Sequence, residues 1–321
     1  MKIFKRLIHA TASVAFAAAI ATAATPAASA QPLPPLPALP PIPAPLFPAP
    51  PLPGSDITFP APITAPAVPG SSALPGFGSK QLVTFGDSFT ANPNLVGLRP
   101  TVPSGFPIHC RQDLQNWPRT AAAKMGKSLG DYSCNGTGGT PYLMLKTFLE
   151  TSIAKGELGP GTEKVVMMYG GLDPFGWADA AGELGRLNPQ FTLYKAEIQD
   201  FTRRIHEVAP GAEIVLAGYP TLGDGDNLCL VNVVPNAAFP LTIPGGTAVE
   251  DSLRNAQRAA ADAAGIRFLD VRGPSTGHGT CALEHDRWVS GYVDTTAPTN
   301  MAMHPTIVGE QAVGNIIADQ L

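Results

Sequence analysis

Gln81-Leu82-Val83-Thr84-Phe85-Gly86-Asp87-Ser88-Phe89 opens as a short apolar run and closes in a turn of small and polar residues. A run of this length, with β-branched and aromatic side chains and no alternation, predicts a strand buried on both faces. Comparable runs recur at Val165 to Tyr169, Ile214 to Ala217 and Ile266 to Leu269. Between them lie helical patterns. The clearest is Tyr194, Ile198, Phe201, Ile205 and Val208, whose spacing of four, three, four and three places them on one helix face before Pro210-Gly211. Ala-rich stretches at Thr120 to Leu129 and Thr247 to Ala264, and a closing segment Thr306 to Leu321, extend the alternation. Strand–helix alternation predicts an α/β domain, a three-layer α/β/α sandwich with a parallel sheet and its chemistry in the loops at the strand C-terminal ends.

N-terminal to this run the chain is a different material. Residues 7 to 79 carry one formal charge, Asp56. Lys2, Lys5 and Arg6, an Ala-rich apolar run, and Ala28-Ser29-Ala30 before Gln31 follow the order of a secretory signal peptide, so residues 1–30 are predicted to be cleaved on export. A retained membrane anchor would need about 20 predominantly apolar residues, usually without a cleavage-like site at their end. Residues 31–79 hold 17 of the 35 prolines and cannot support ladder or helical hydrogen bonding, which predicts an extended, disordered spacer. At about 3.1 Å per residue such a chain reaches on the order of 100 Å, so it serves either as a spacer through a cell wall or as a solubilising tail without a partner. Residues 80–321, 242 in all, suffice for one domain with its own core. Charge bounds the partners: Lys+Arg 21 against Asp+Glu 25, net −4, argues against electrostatic capture of nucleic acid.

Cys110, Cys134, Cys229 and Cys281 all fall in the domain, and an even count in an exported chain predicts two disulfides. Three pairings are open. Closing the shorter loops, Cys110 with Cys134 and Cys229 with Cys281, is the simplest. No CxxC spacing and no compact histidine–carboxylate motif point to a metal, and no cofactor is implied. The candidate chemistry is a serine hydroxyl, Ser88, exposed at the end of the first strand, with His304 in the last loop as general base.

With these motifs in place, the domain resembles the GDSL or SGNH hydrolases, secreted esterases and lipases. Gly86-Asp87-Ser88, Ser133-Cys134-Asn135-Gly136, Gly170-Gly171-Leu172-Asp173 and His304-Pro305 occur in the expected order. The resemblance implies the flavodoxin-like SGNH fold, Ser88 as nucleophile, His304 as base, and the backbone N–H groups of Ser88 and Gly136 as oxyanion donors. It implies an ester substrate, and export with a spacer of cell-wall length points to lipid or acylated-glycan esters of the envelope. The Tyr219-Pro220 to Cys229 and Gly277-His278 to Cys281 stretches resemble the secreted actinobacterial branch, which supports the pairing of nearer cysteines. Two positions depart from the family. Leu172 stands where an oxyanion-donating Asn is expected, with Asn135 as candidate replacement, and Met301 stands where an Asp would orient the base. The backbone carbonyl of Met301 is the expected acceptor for the imidazole, with Asp294 as alternative. A non-catalytic or acyl-transferring envelope-binding protein on the same fold is the alternative function.

Overall fold

The computed structural model describes residues 78–93, 101–103, 111–135, 142–170 and 190–321. The predicted signal peptide and nearly all of the predicted spacer lie outside them.

In chain order the strands are β1 (Leu82–Gly86), β2 (Thr101–Pro103), β3 (Arg111–Asp113), β4 (Leu129–Ser133), β5 (Lys164–Met168), β6 (Glu213–Ala217), β7 (Asn227–Leu228), β8 (Val231–Asn232), β9 (Leu241–Thr242), β10 (Arg267–Leu269) and β11 (Val293–Asp294). The helices are α1 (Ser88–Ala91), α2 (Trp117–Met125), α3 (Tyr142–Ala154), α4 (Thr192–Val208), α5 (Gly246–Ala264) and α6 (Ile307–Gln320).

Five strands form one parallel sheet in the order β10-β6-β5-β1-β4. Counted along the chain this is the flavodoxin-like 2-1-3-4-5 order, whose direction reverses between β1 and β5 and leaves a crevice at their C-terminal ends. Side chains alternate across the sheet, as strand geometry requires. Val83, Phe85, Val165, Met167, Ile214 and Leu216 face one core with α3, α4 and α5. Leu82, Val166, Met168, Val215 and Ala217 face a second core with α2 and α6. Each large apolar side chain so buried contributes roughly 1.5–3 kcal/mol, and two filled faces explain why the central strands read as unbroken apolar runs.

One reading is corrected. The Ala-rich stretch predicted as a helix to Leu129 ends at Met125, where Gly126 (φ 65°) caps it, and Leu129–Ser133 is the edge strand β4. Among the described residues β4 pairs only with β1, and as an edge strand it carries Gly130 and Asp131, which break any apolar run. Against the second face, α2 and α6 approach closely at Gly314, where a Cβ would come 2.8 Å from the Trp117 carbonyl oxygen. Among the described residues no helix is long and apolar enough to cross a membrane.

Candidate active site

Ser88 is placed by the tight passage from β1 into α1. A side chain at Gly86 would strike Thr90 and come 2.9 Å from the Met168 carbonyl oxygen, so β1 can abut β5 here only without a Cβ. Asp87 is the helix N-cap, and its carboxylate accepts from the Phe89 N–H at 2.9 Å. Ser88 thus occupies the first helical position, where the backbone N–H groups have no intrahelical acceptor. Asn92 in the left-handed region (φ 42°) ends the helix after one turn. Phe89 is buried, edge-on to Tyr219 at 5.3 Å between ring centroids, and packs on the His304 ring at 4.7 Å.

His304 arrives from the loop before α6. Its Nε2 lies 2.8 Å from Ser88 Oγ, and its Nδ1 lies 2.8 Å from the Ala302 carbonyl oxygen. A carbonyl only accepts, so Nδ1 carries the proton and Nε2 is left to take the serine's. Burial lowers the imidazole pKa to about 4, against a smaller rise from the Ala302 carbonyl, so the ring is neutral at pH 7.

The loop is tied to the nucleophile helix by buried polar groups. Asn92 Nδ2 donates to the Pro305 carbonyl oxygen at 2.8 Å and to Glu310 Oε1 at 2.7 Å. Asn300 Nδ2 donates to the Asn92 carbonyl at 3.1 Å, and the Trp117 N–H donates to Glu310 Oε2 at 2.7 Å. Buried hydrogen bonds contribute about 0.5–1.5 kcal/mol each, and together these hold the two halves of the site in one geometry.

Two predicted base-orienting groups are corrected. The Met301 carbonyl accepts instead from Ser290 Oγ at 3.3 Å and Thr299 Oγ1 at 2.8 Å. Met303, in the left-handed region (φ 59°), turns the Ala302 carbonyl back toward the imidazole. The alternative, Asp294, is engaged elsewhere. Its carboxylate pairs with Arg287 Nη1 at 2.8 Å and accepts from the Gly291, Thr296 and Ala297 N–H groups at 3.0–3.1 Å. Burial raises its pKa, but those backbone donors and Arg287 together hold it below the usual range.

Asn135 is exposed, one residue beyond Cys134, whose N–H donates to the Gly86 carbonyl at 3.0 Å, so it stands at the level of the nucleophile turn. Gly136, Leu172 and Cys110 lie outside the described residues, and with them the second oxyanion donor, the departure from the family Asn and the Cys110–Cys134 pair. Cys229 and Cys281 form the predicted disulfide.

Residues to which the sequence reading gave no catalytic role complete the site. The Tyr219 hydroxyl donates to Asp87 Oδ2, and burial raises the Asp87 pKa to about 6 against the lowering effect of the Tyr219 and Phe89 donors. Asn92, Asn300 and Glu310 leave no motif. Only Glu310 lies on a helix, and a polar residue type at a buried position is a weak signal without coordinates. His206 is exposed, and His278 stacks on Trp288 at 4.4 Å with Nδ1 on the Asp286 carbonyl.

A doubly wound sheet with a hydrogen-bonded serine and histidine beside its switch point places the chain in the α/β/α class of enzymes. Residues 84–312 match the model of the GDSL-like lipase/acylhydrolase family, and the chain belongs to that family. It is a carboxylic ester hydrolase. It is 27% identical over 261 residues to Lipase 2 of Streptomyces coelicolor, covering 74% of this chain and 85% of that one. It is 25% identical over 298 residues to an esterase of Streptomyces scabiei, with the same coverage. Among solved structures it resembles phospholipase A1 of Streptomyces albidoflavus NA297, with a TM-score of 0.49, 21% identity, and coverage of 76% of this chain and 99% of that one.

Proposed function

We propose that the protein is an exported serine esterase that cleaves lipid or acylated-glycan esters of the cell envelope through a Ser88 acyl-enzyme. The observation that carries the reading is the 2.8 Å contact of His304 Nε2 with Ser88 Oγ, in the tautomer set by the Ala302 carbonyl. Ser88 Oγ attacks the ester carbonyl carbon while its proton passes to His304 Nε2. The Ser88 N–H and the Gly136 N–H receive the oxyanion, with Asn135 as a further donor. Collapse breaks the bond to the alcohol oxygen, which takes the proton from His304. Water then repeats the sequence at the acyl carbon and frees the acid. A carbonyl orients the base without a buried charge, and stabilises the imidazolium less than a carboxylate would.

Export is supported by the signal-peptide pattern of residues 1–30 and by the Cys229–Cys281 disulfide, which persists in oxidising compartments. Ser79 and Lys80 anchor at the sheet end opposite Ser88, where Ser79 Oγ accepts from the Gly161 N–H and the Lys80 N–H donates to the Glu157 carbonyl. A Pro-rich spacer attached to the cell wall there would hold the site facing away from its tether.

A fluorophosphonate probe tests the mechanism, because its phosphorus is attacked by an activated serine with loss of fluoride whatever the natural substrate. Labelling confined to Ser88, and abolished in both Ser88→Ala and His304→Ala, is the expected result. An unlabelled but folded wild-type chain would make the protein a non-catalytic binding module.

A further inference from the structure

Residues 227–249 contain no charged side chain, yet they lie largely at the surface. Six apolar side chains from this lobe and the strand beside it, Val231, Val233, Val234, Phe239, Leu241 and Val293, are 44–53% exposed. Local pairing brings two of them side by side. β8 and β11 run parallel with Val231 beside Val293, and β7 and β9 run antiparallel with Leu228 beside Leu241. The pleat sends Asn232 and Asp294 inward and both valines outward.

The lobe is clamped. Cys229–Cys281 pins one strand to the loop behind it. Asn232 Nδ2 donates to the Cys229 and Thr280 carbonyls at 3.2 and 3.1 Å. Arg287 and Asp294 form an ion pair whose side chains are 1% and 0% exposed. Clamping the backbone in this way lowers the ordering cost of binding.

It is also continuous with the active site. The Ser290 N–H donates to the His304 carbonyl at 3.0 Å, and the Met303 N–H donates to the Gly291 carbonyl at 3.1 Å. The next residues in the chain are exposed Tyr292 and Val293.

From this, and resting on the ester-hydrolase reading above, we propose that the lobe formed by β7, β8, β9 and β11 seats the protein on the surface of a neutral-headgroup lipid assembly, beside the Ser88–His304 pair. Exposed apolar side chains gathered on one uncharged segment mark an interaction site. A lipid boundary accepts valine, leucine, phenylalanine and tyrosine without asking for a rim of charges or donors, whereas a protein partner is normally met by such a rim. The run supplies no lysine or arginine to draw anionic headgroups, and the charges hydrogen-bonded to its backbone are carboxylates: Asp226 accepts from the Thr247 and Gly245 N–H groups at 2.9 and 3.2 Å, and Glu284 accepts from the Asn236 N–H at 3.1 Å. Neutral headgroups are therefore the match.

The test is co-sedimentation of the full chain carrying Ser88→Ala with phosphatidylcholine vesicles, so that binding is read without turnover. The expected result is salt-insensitive binding that Val234→Asp with Phe239→Asp weakens by about tenfold or more. In the Ser88 background the same pair should leave hydrolysis of a soluble short-chain p-nitrophenyl ester within about twofold of wild type. The single Phe239→Ser serves if the pair lowers the melting temperature. Absence of vesicle binding, binding unchanged by the substitutions, or binding that requires phosphatidylglycerol and fades with salt overturns the proposal. So does a dimer that these substitutions convert to monomer, which would make a second copy the occupant. Failure of the ester-hydrolase reading shows separately, as absence of fluorophosphonate labelling in a chain that still sediments with vesicles.

Discussion

The hydroxyl of Tyr219, beyond the end of β6, donates to the carboxylate of Asp87, the residue that precedes Ser88 and caps its helix. Two strand ends are thereby coupled at the nucleophile, and the Phe89 ring lies between Tyr219 and His304.

Removing that hydroxyl with Tyr219→Phe should lower kcat by about tenfold, the value of a hydrogen bond to a charged acceptor, with KM little changed. The pH–rate profile separates positioning from mere folding. In the wild type, Asp87 at about 6 gives a partial fall and His304 at about 4 gives the final loss as pH decreases. Because the Tyr219 donor lowers the Asp87 pKa, the first inflection should move up in Tyr219→Phe while the second stays. Coincident profiles on a soluble ester would refute the coupling.

Asp294→Asn should act on stability and not on chemistry. It leaves Arg287, whose side chain is 1% exposed, without its counter-charge, at a cost of about 3–5 kcal/mol. Well below the lowered melting temperature, kcat of the folded protein should stay near wild type, and Met301→Ala should also leave it near wild type. A kcat as low as that of His304→Ala in folded Asp294→Asn would restore the carboxylate as base-orienting group.

Glu197 sits buried on α4, its pKa raised by burial to about 8 against the lowering effect of the Tyr169 hydroxyl. The folded state therefore keeps a proton that the unfolded chain releases near 4.5, so its contribution is full below that pH and is lost as pH rises through about 8. Between pH 6.5 and 9 the melting temperature should fall. In Glu197→Gln, which holds a neutral group at all pH values, this fall should flatten. Parallel pH dependences for the two proteins would contradict the assignment.

Gly86→Ala should destabilise the domain by about 1–3 kcal/mol, since the new methyl meets Thr90 and the Met168 carbonyl and the backbone has to shift. The shift falls on the two residues before Ser88, so kcat should fall further than the loss of folded protein accounts for. Denaturant melts and active-site titration of the same preparation measure the two effects.

The central strands were legible because β1, β5 and β6 are covered on both faces and must be apolar throughout, and α4 because its buried face repeats with the helical period. β4 was not, since an edge strand carries polar residues that no period identifies. Ser88 and His304 announced themselves by residue type and by position at the ends of elements. What lay beyond local sequence was which groups meet over long separations, Tyr219 with Asp87 and Asn92 with Pro305 and Glu310, and which way a loop turns its buried charges, Arg287 onto Asp294. The orienting carbonyl belongs to Ala302 and not Met301 because a left-handed residue at 303 re-aims one peptide, and that backbone choice is made by packing around the loop. Chain order and residue type are local properties that a sequence carries in full. The direction of a carbonyl and the partner of a buried charge are settled only when the sheet closes and brings distant segments within hydrogen-bonding reach.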